Sequence, residues 1–189
     1  MADENQNRLI ASINYSKSIA KETLVYKRDS WDKIEHFSML FMFIASLGLF
    51  MYISIDSFLR SDFSTGTISL LPAIWIGVSA VFMNKMVKVE GKSILRNKED
   101  VMNTLKYFYD DVTFGASEED IIRDISTSGW FNSGRVITVL LNNNMVYFHK
   151  ISLGRGGAML PFYGPFDYTK AQEMAEHFKD IQATQPETI

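Results

Sequence analysis

Charged residues vanish from two stretches of this chain, Phe37–Ile55 and Phe63–Asn84, and apolar side chains fill both on every helical face. A hydrocarbon core of about 30 Å is crossed by about 20 helical residues, and uncharged runs of this length are uncommon in soluble core helices. The interval Asp56–Asp62 has room only for a tight reversal. The pattern predicts a helical hairpin that crosses a membrane twice and returns both chain ends to one side. Pro72, near the start of the second run, is placed at the first turn of its helix.

Beyond the hairpin the pattern changes. The basic stretch Lys85–Lys98 is expected to extend the second helix into the aqueous phase. Val101, Leu105 and Phe108 share one face of a helix over Asn97–Asp110. Ser117 with Asp120 three residues on reads as a helix start, with Ile121, Ile122 and Ile125 as the apolar side and Gly129 as the stop. Arg135–Leu141 and Met145–Ile151 are rich in β-branched and aromatic residues around Asn142, Asn143 and Asn144, a hairpin signal. A short strand is expected at Ala158–Phe162, and a last helix at Tyr168–Ala183, capped by Asp167. The predicted fold is therefore an α-helical transmembrane hairpin plus a small α+β cytosolic domain: helix, helix, three-stranded antiparallel sheet, helix. The divisions are an N-terminal arm (1–36), the hairpin (37–84), a basic linker (85–98), the domain (99–183) and a tail (184–189).

The net charge of −3 and a mean hydropathy of −0.03 conceal this division, because they average lipid-compatible and polar segments. Charge placement is more informative. Lys17, Lys21, Lys27, Arg28 and Lys33 precede the first run and Lys85, Lys88, Lys92, Arg96 and Lys98 follow the second, whereas the reversal holds Arg60 alone. Cationic flanks stay on the cytoplasmic side, so both termini are expected there, at the inner (cell) membrane. In the arm, Leu9, Ile13, Ala20 and Leu24 form an imperfect helical face, compatible with lying on the inner leaflet, packing on the C-terminal domain, or partial disorder. Small residues mark packing faces, Ala45, Ser46 and Gly48 on the first helix and Ala73, Gly77 and Ala80 on the second, for packing within the hairpin or in a homo-oligomer.

The chemistry available is sparse. With no cysteine and only His36, His149 and His177, the chain offers no thiolate metal site, no triad and no sign of an enzyme or a cofactor. The two uncharged runs lack the ionisable residues of pumps and transporters. The one segment suited to a ligand is Gly154, Arg155, Gly156 and Gly157, where glycines let backbone amides approach an anion and arginine adds a forked charge. Lys150 and Tyr163 flank it, and Arg135 and Lys170 are placed to extend the basic surface. The spacing matches neither a P-loop nor a dinucleotide fingerprint, and no duplex nucleic acid is expected as a partner.

Two N-terminal apolar runs, a cytosolic domain of about 100 residues and no catalytic set together resemble the two-span membrane effectors of prokaryotic antiviral defence. The ancillary membrane protein of type III CRISPR systems, which binds cyclic tetra-adenylate, is the nearest in layout. The resemblance covers the whole chain as an architecture and implies a homo-oligomer in which a cyclic oligonucleotide, held by Arg155 and Lys150, shifts the membrane helices toward a perturbing state. A membrane-anchored adaptor or inhibitor with a protein partner accounts for the same residues, as does an exclusion protein acting at the inner membrane.

Overall fold

The computed structural model of the chain describes residues 13–27, 30–112, 114–118, 120–126, 134–154 and 160–184, with the side chains of 30–40, 42, 114–118 and 161 outside the description. The elements run α1 (Tyr15–Lys21), α2 (Ser30–Leu59), α3 (Phe63–Phe82), β1 (Val87–Glu90), α4 (Ile94–Phe108), β2 (Phe114–Glu118), β3 (Ile121–Ser126), β4 (Gly134–Asn142), β5 (Met145–Leu153), a 3-10 turn (Pro161–Tyr163) and α5 (Gly164–Thr184).

The reversal between α2 and α3 is closed by backbone chemistry. The amide of Asp62 bonds to the carbonyl of Ser57 at 2.9 Å and that of Ser61 to Phe58 at 3.0 Å, with Ser61 left-handed at φ 61°. This is the paired bonding of a Schellman cap, made here without glycine. Asp62 then caps α3 by accepting from the amide of Thr65.

Five antiparallel strands form one sheet in the order β1-β5-β4-β3-β2. The β4–β5 hairpin turns at Asn143, left-handed at φ 49°, with Asn142 opposite Met145, and the asparagine run signalled this turn. On one face α4 and α5 bury Val101, Leu105, Met174 and Phe178 against Ile122, Ile137, Val139 and Phe148. The other face is covered by the N-terminal arm, whose Ile13 and Leu24 pack with Met86, Ile121, Leu140 and Tyr147. The arm is stitched down by the amide of Leu24 on Asn84 O (2.8 Å), the amide of Met86 on Glu22 O (3.1 Å) and the Tyr15 hydroxyl on the carbonyl of Leu141. Of the three placements open for the arm, packing on the C-terminal domain is the one observed; Leu9 and Arg28 lie outside the described residues.

The fold class expected from sequence is corrected in two respects. Among the described residues α3 is the one helix long and apolar enough to cross a membrane; the shorter apolar part of α2 is Phe43–Leu59. The first turns of α2 carry Asp32, Lys33, Glu35 and His36, and Asp56 stands near its end, so a pair of full spans is not supported. The sheet has five strands rather than three. Ser117–Gly129, expected as a helix, holds the end of β2 and all of β3, and the basic stretch after α3 makes β1 instead of more helix. Of the expected strand Ala158–Phe162, residues 158 and 159 lie outside the described residues and Pro161–Tyr163 is a 3-10 turn. Pro72 sits inside α3 rather than at its first turn, and α5 starts at Gly164 and continues into the expected tail as far as Thr184.

The buried positions of the α2–α3 hairpin are mostly small or hydroxylated. Ser54, Ser57, Gly66, Ser69 and Ala73 are buried together with Ile76, Ser79 is buried where α3 meets the domain, and the Ser54 hydroxyl donates to the carbonyl of Gly66 at 2.6 Å. Added at Gly66, a Cβ would lie 2.8 Å from the Phe58 ring, so glycine sets how closely the helices approach. The expected packing stripes are only partly used. Ala73 is buried, whereas Ala45, Gly48 and Ala80 are exposed and a Cβ at Gly48 or Gly77 would meet nothing within 4 Å. Large apolar side chains point outward: Phe63, Ile68, Leu71, Ile74, Val78 and Val81 on α3, and Phe41, Ile44, Leu49, Tyr52, Ile55 and Leu59 on α2.

Candidate functional site at the junction of sheet and hairpin

The hairpin meets the domain where β5 passes through a loop and the 3-10 turn into α5. The Phe162 carbonyl accepts from Trp75 Nε1 (3.1 Å) and from the Ser79 hydroxyl (3.2 Å). Gly164 is pressed against α3 so closely that a Cβ there would lie 2.5 Å from the Ser79 carbonyl. Below this contact the Phe82 and Tyr168 rings meet at 5.1 Å, with the Lys85 ammonium near both. From β5, His149 Nε2 bonds to the carbonyl of Met83 at 3.1 Å.

The loop itself is cinched at its base. The amide of Leu160 bonds back to Ser152 O at 3.0 Å. Asp167, expected as a helix cap, instead turns inward and joins α5 to β5: its carboxylate accepts from the Ser152 amide and hydroxyl, both at 2.7 Å, and is ion-paired with Lys150. Lys150 also donates to Ser152 Oγ. Arg135, opposite Ser152 in register, bonds to Asp111 (2.7 Å) and Asp124 (3.2 Å) and stacks over Tyr109 at 4.0 Å. The Asp111 carboxyl is held below its usual range chiefly by the hydrogen bond from Arg135, while burial pushes the Tyr109 phenol up to about 12.

Of the expected ligand residues, Arg135 and Lys150 are thus brought onto one end of the same sheet face, already matched by Asp111, Asp124 and Asp167. Lys170 lies along α5, paired with Glu173 and over the Phe108 ring. Tyr163 is half exposed in the 3-10 turn. Gly154 closes β5, and Arg155, Gly156 and Gly157 lie outside the described residues. No protein family, curated protein or solved structure matches this chain. Among the described residues no cluster of three or more His, Asp or Glu is placed to hold a metal ion.

Sequence reasoning missed the residues that make this junction. Ser152, Ser79, Trp75 and Phe162 are far apart in the chain and share no motif, and Asp167 was read only as a helix cap.

His149 is the most perturbed group here. Its Nε2 carries the proton given to Met83, its Nδ1 is buried without a hydrogen-bond partner, and burial pushes its pKa down to about 4 against the opposing pull of the Met83 carbonyl and Asp167, with Arg123 and Lys150 adding smaller downward pushes. Between the ordinary value near 6.5 and about 4, the unfolded chain binds a proton that the folded chain refuses. Stability is therefore expected to fall with pH through that window, by about 3 kcal/mol in all. Denaturant titrations at pH 7 and pH 4.5 check this, and His149→Gln should flatten the difference.

Proposed function

We propose that this chain is a membrane-associated effector, with the α2–α3 hairpin as its lipid-facing output and the α+β domain as its sensing part. One observation carries the membrane half of this reading: apart from Ile76, the buried positions of the hairpin are hydroxyl or small residues, and its large apolar side chains stand mostly outward. Only 28 % of the most apolar window of α3 is buried, which is the reverse of a soluble core helix. Helices in lipid gain little from burying apolar side chains and pack through small residues and interhelical hydrogen bonds, the arrangement of Ser54 and Gly66. Lys85, Lys88, Lys92, Arg96 and Lys98 lie on the domain side and favour a cytoplasmic domain.

The sensing half is supported by where Gly154–Gly157 fall in the sequence. They lie between β5 and the turn whose Phe162 carbonyl holds Trp75 and Ser79, so an anionic ligand of the cyclic oligoadenylate class, taken by Arg155, would act a few residues from the contact with the hairpin. A ligand that binds two arrangements of this junction unequally shifts the population between them. Homo-oligomerisation belongs to the same proposal, since one hairpin cannot enclose a pore.

Calorimetry of the full chain in detergent with cyclic tetra-adenylate tests the sensing half. Saturable heat that disappears in Arg155→Glu is expected. No heat with the wild type, or the same heat with the variant, would rule the ligand out. A membrane-anchored adaptor is the second reading, favoured by the pairing of Arg135, Lys150 and Lys170 with carboxylates, and a strictly monomeric protein in detergent would leave only that one standing.

A further inference from the structure

Around the Phe162 contact the hairpin and the α+β domain together carry a cluster of rings, Phe43 and Trp75 from the hairpin and Phe162, Tyr163 and Phe166 from the domain, that the core of the sheet does not use. Trp75 and Phe166 lie 5.5 Å apart between centroids, Tyr163 and Phe166 5.9 Å, and Phe43 and Phe162 5.7 Å. Phe162, Tyr163, Phe166 and Trp75 are all at least 39 % exposed. The nearby carboxylate, Asp167, is turned away into the domain. Through Trp75, which lies between the exposed Ile74 and Val78, the cluster joins the outward apolar arc of α3, and the Lys85 ammonium, held by Phe82 and Tyr168, stands on its domain side.

We infer that this aromatic platform is a membrane-docking surface of the domain, seated in the headgroup layer of the bilayer, and that it fixes how deep the hairpin goes. The inference rests on the lipid-facing reading of the hairpin and adds a second lipid contact to it. Aromatic rings with an apolar body and a polar edge collect at this depth, and here Tyr163 supplies a hydroxyl while the Trp75 indole N–H is already satisfied. Apolar continuity makes lipid the occupant, because a platform meeting the hairpin's arc edge to edge enters the same phase.

Seating the platform has a mechanical consequence. From Trp75 to the cap at Asp62, α3 rises about 20 Å at 1.5 Å per residue, short of the hydrocarbon thickness of about 30 Å. The tip holds Asp56, Arg60 and Asp62, with Arg60 paired to Asp56 at 3.0 Å, and these charges seek water. A hydrophobic element shorter than the bilayer is met by local thinning, so the platform turns insertion into membrane strain.

Because the chain has no cysteine, an environment-sensitive fluorophore can be placed singly on the full chain at Phe166→Cys, Ile68→Cys and, as a water-exposed control on α5, Glu176→Cys. In phosphatidylcholine–phosphatidylglycerol vesicles, nitroxides high on the acyl chain should quench position 166 and deep nitroxides position 68, with 176 unaffected. Position 68 quenched and position 166 untouched would overturn the platform while leaving the hairpin in lipid. If neither is quenched, both readings fall. Vesicles of shorter acyl chains should bind more protein than those of longer chains, and the opposite order would contradict a depth fixed by the platform.

Discussion

Replacing Ile68 and Leu71 together by aspartate is expected to move the protein from the membrane pellet into the soluble fraction. Both side chains stand on the outward arc of α3, at 68 % and 63 % exposure. If water covered that arc, two carboxylates would be harmless and would improve solubility. If lipid covers it, each charge at depth costs about 3 kcal/mol, or about 6 kcal/mol for the pair, roughly four orders of magnitude in partition. Leu95→Asp is the matched control, since Leu95 is more exposed still but lies on α4 of the domain, and it should leave partition unchanged. Carbonate-washed membranes from cells expressing the three proteins report the outcome, and a double variant that pellets like the wild type would contradict the lipid-facing arc.

The second large effect is expected at Asp167. Removing this carboxylate in Asp167→Ala strands the Lys150 ammonium, strips the Ser152 amide and hydroxyl of their acceptor, and unties α5 from β5. Breaking a buried ion pair from one side typically costs about 3–5 kcal/mol, and the loss should be visible as a lowered denaturant midpoint in detergent micelles. Lys150→Met in the same background should recover part of that loss, because the uncompensated charge goes with it; a double variant no more stable than Asp167→Ala would mean that the carboxylate acts through Ser152 alone.

These expectations rest on features that the sequence displayed unequally. The reversal at Asp56–Asp62, the Asn-rich β4–β5 turn and the existence of the last helix were legible, because turn chemistry and helical period act over a few residues. Ile121, Ile122 and Ile125 misled for a definite reason. In β3 their strand alternation is erased, since Ile122 faces the core under α4 and α5 while Ile121 packs beneath the N-terminal arm. A strand buried on both faces has no period-2 signal, and the residues that remain fit a helix. The β1 strand was hidden differently, its Val87 and Val89 lying among cations that suggested a juxtamembrane helix.

Length of an uncharged run overstated the first helix as a span. Small residues were rightly sought in the hairpin, but the packing face was built from serines and Gly66, whereas Gly48 and Gly77 face open space. The candidate site was the least legible part. Lys150, Arg135 and Lys170 looked available for an anion because their carboxylates come from elsewhere: Asp167 from α5, Asp111 from the loop after α4, Asp124 from β3 and Glu173 from a neighbouring turn of α5. Charge pairing across a fold has no signature in one sequence.

Single-cysteine scanning of α3 in reconstituted vesicles tests the central claim most directly, with a nitroxide at each position from Phe63 to Phe82 and its accessibility to oxygen and to a polar nickel chelate compared. Oxygen accessibility is predicted to peak at Ile68, Leu71 and Ile74 and to dip at Gly66, Ser69 and Ala73 with helical period, the chelate being excluded from the peaks. Chelate access at those outward positions, or no oxygen access there because protein covers them, would contradict a hairpin that turns its apolar face to lipid.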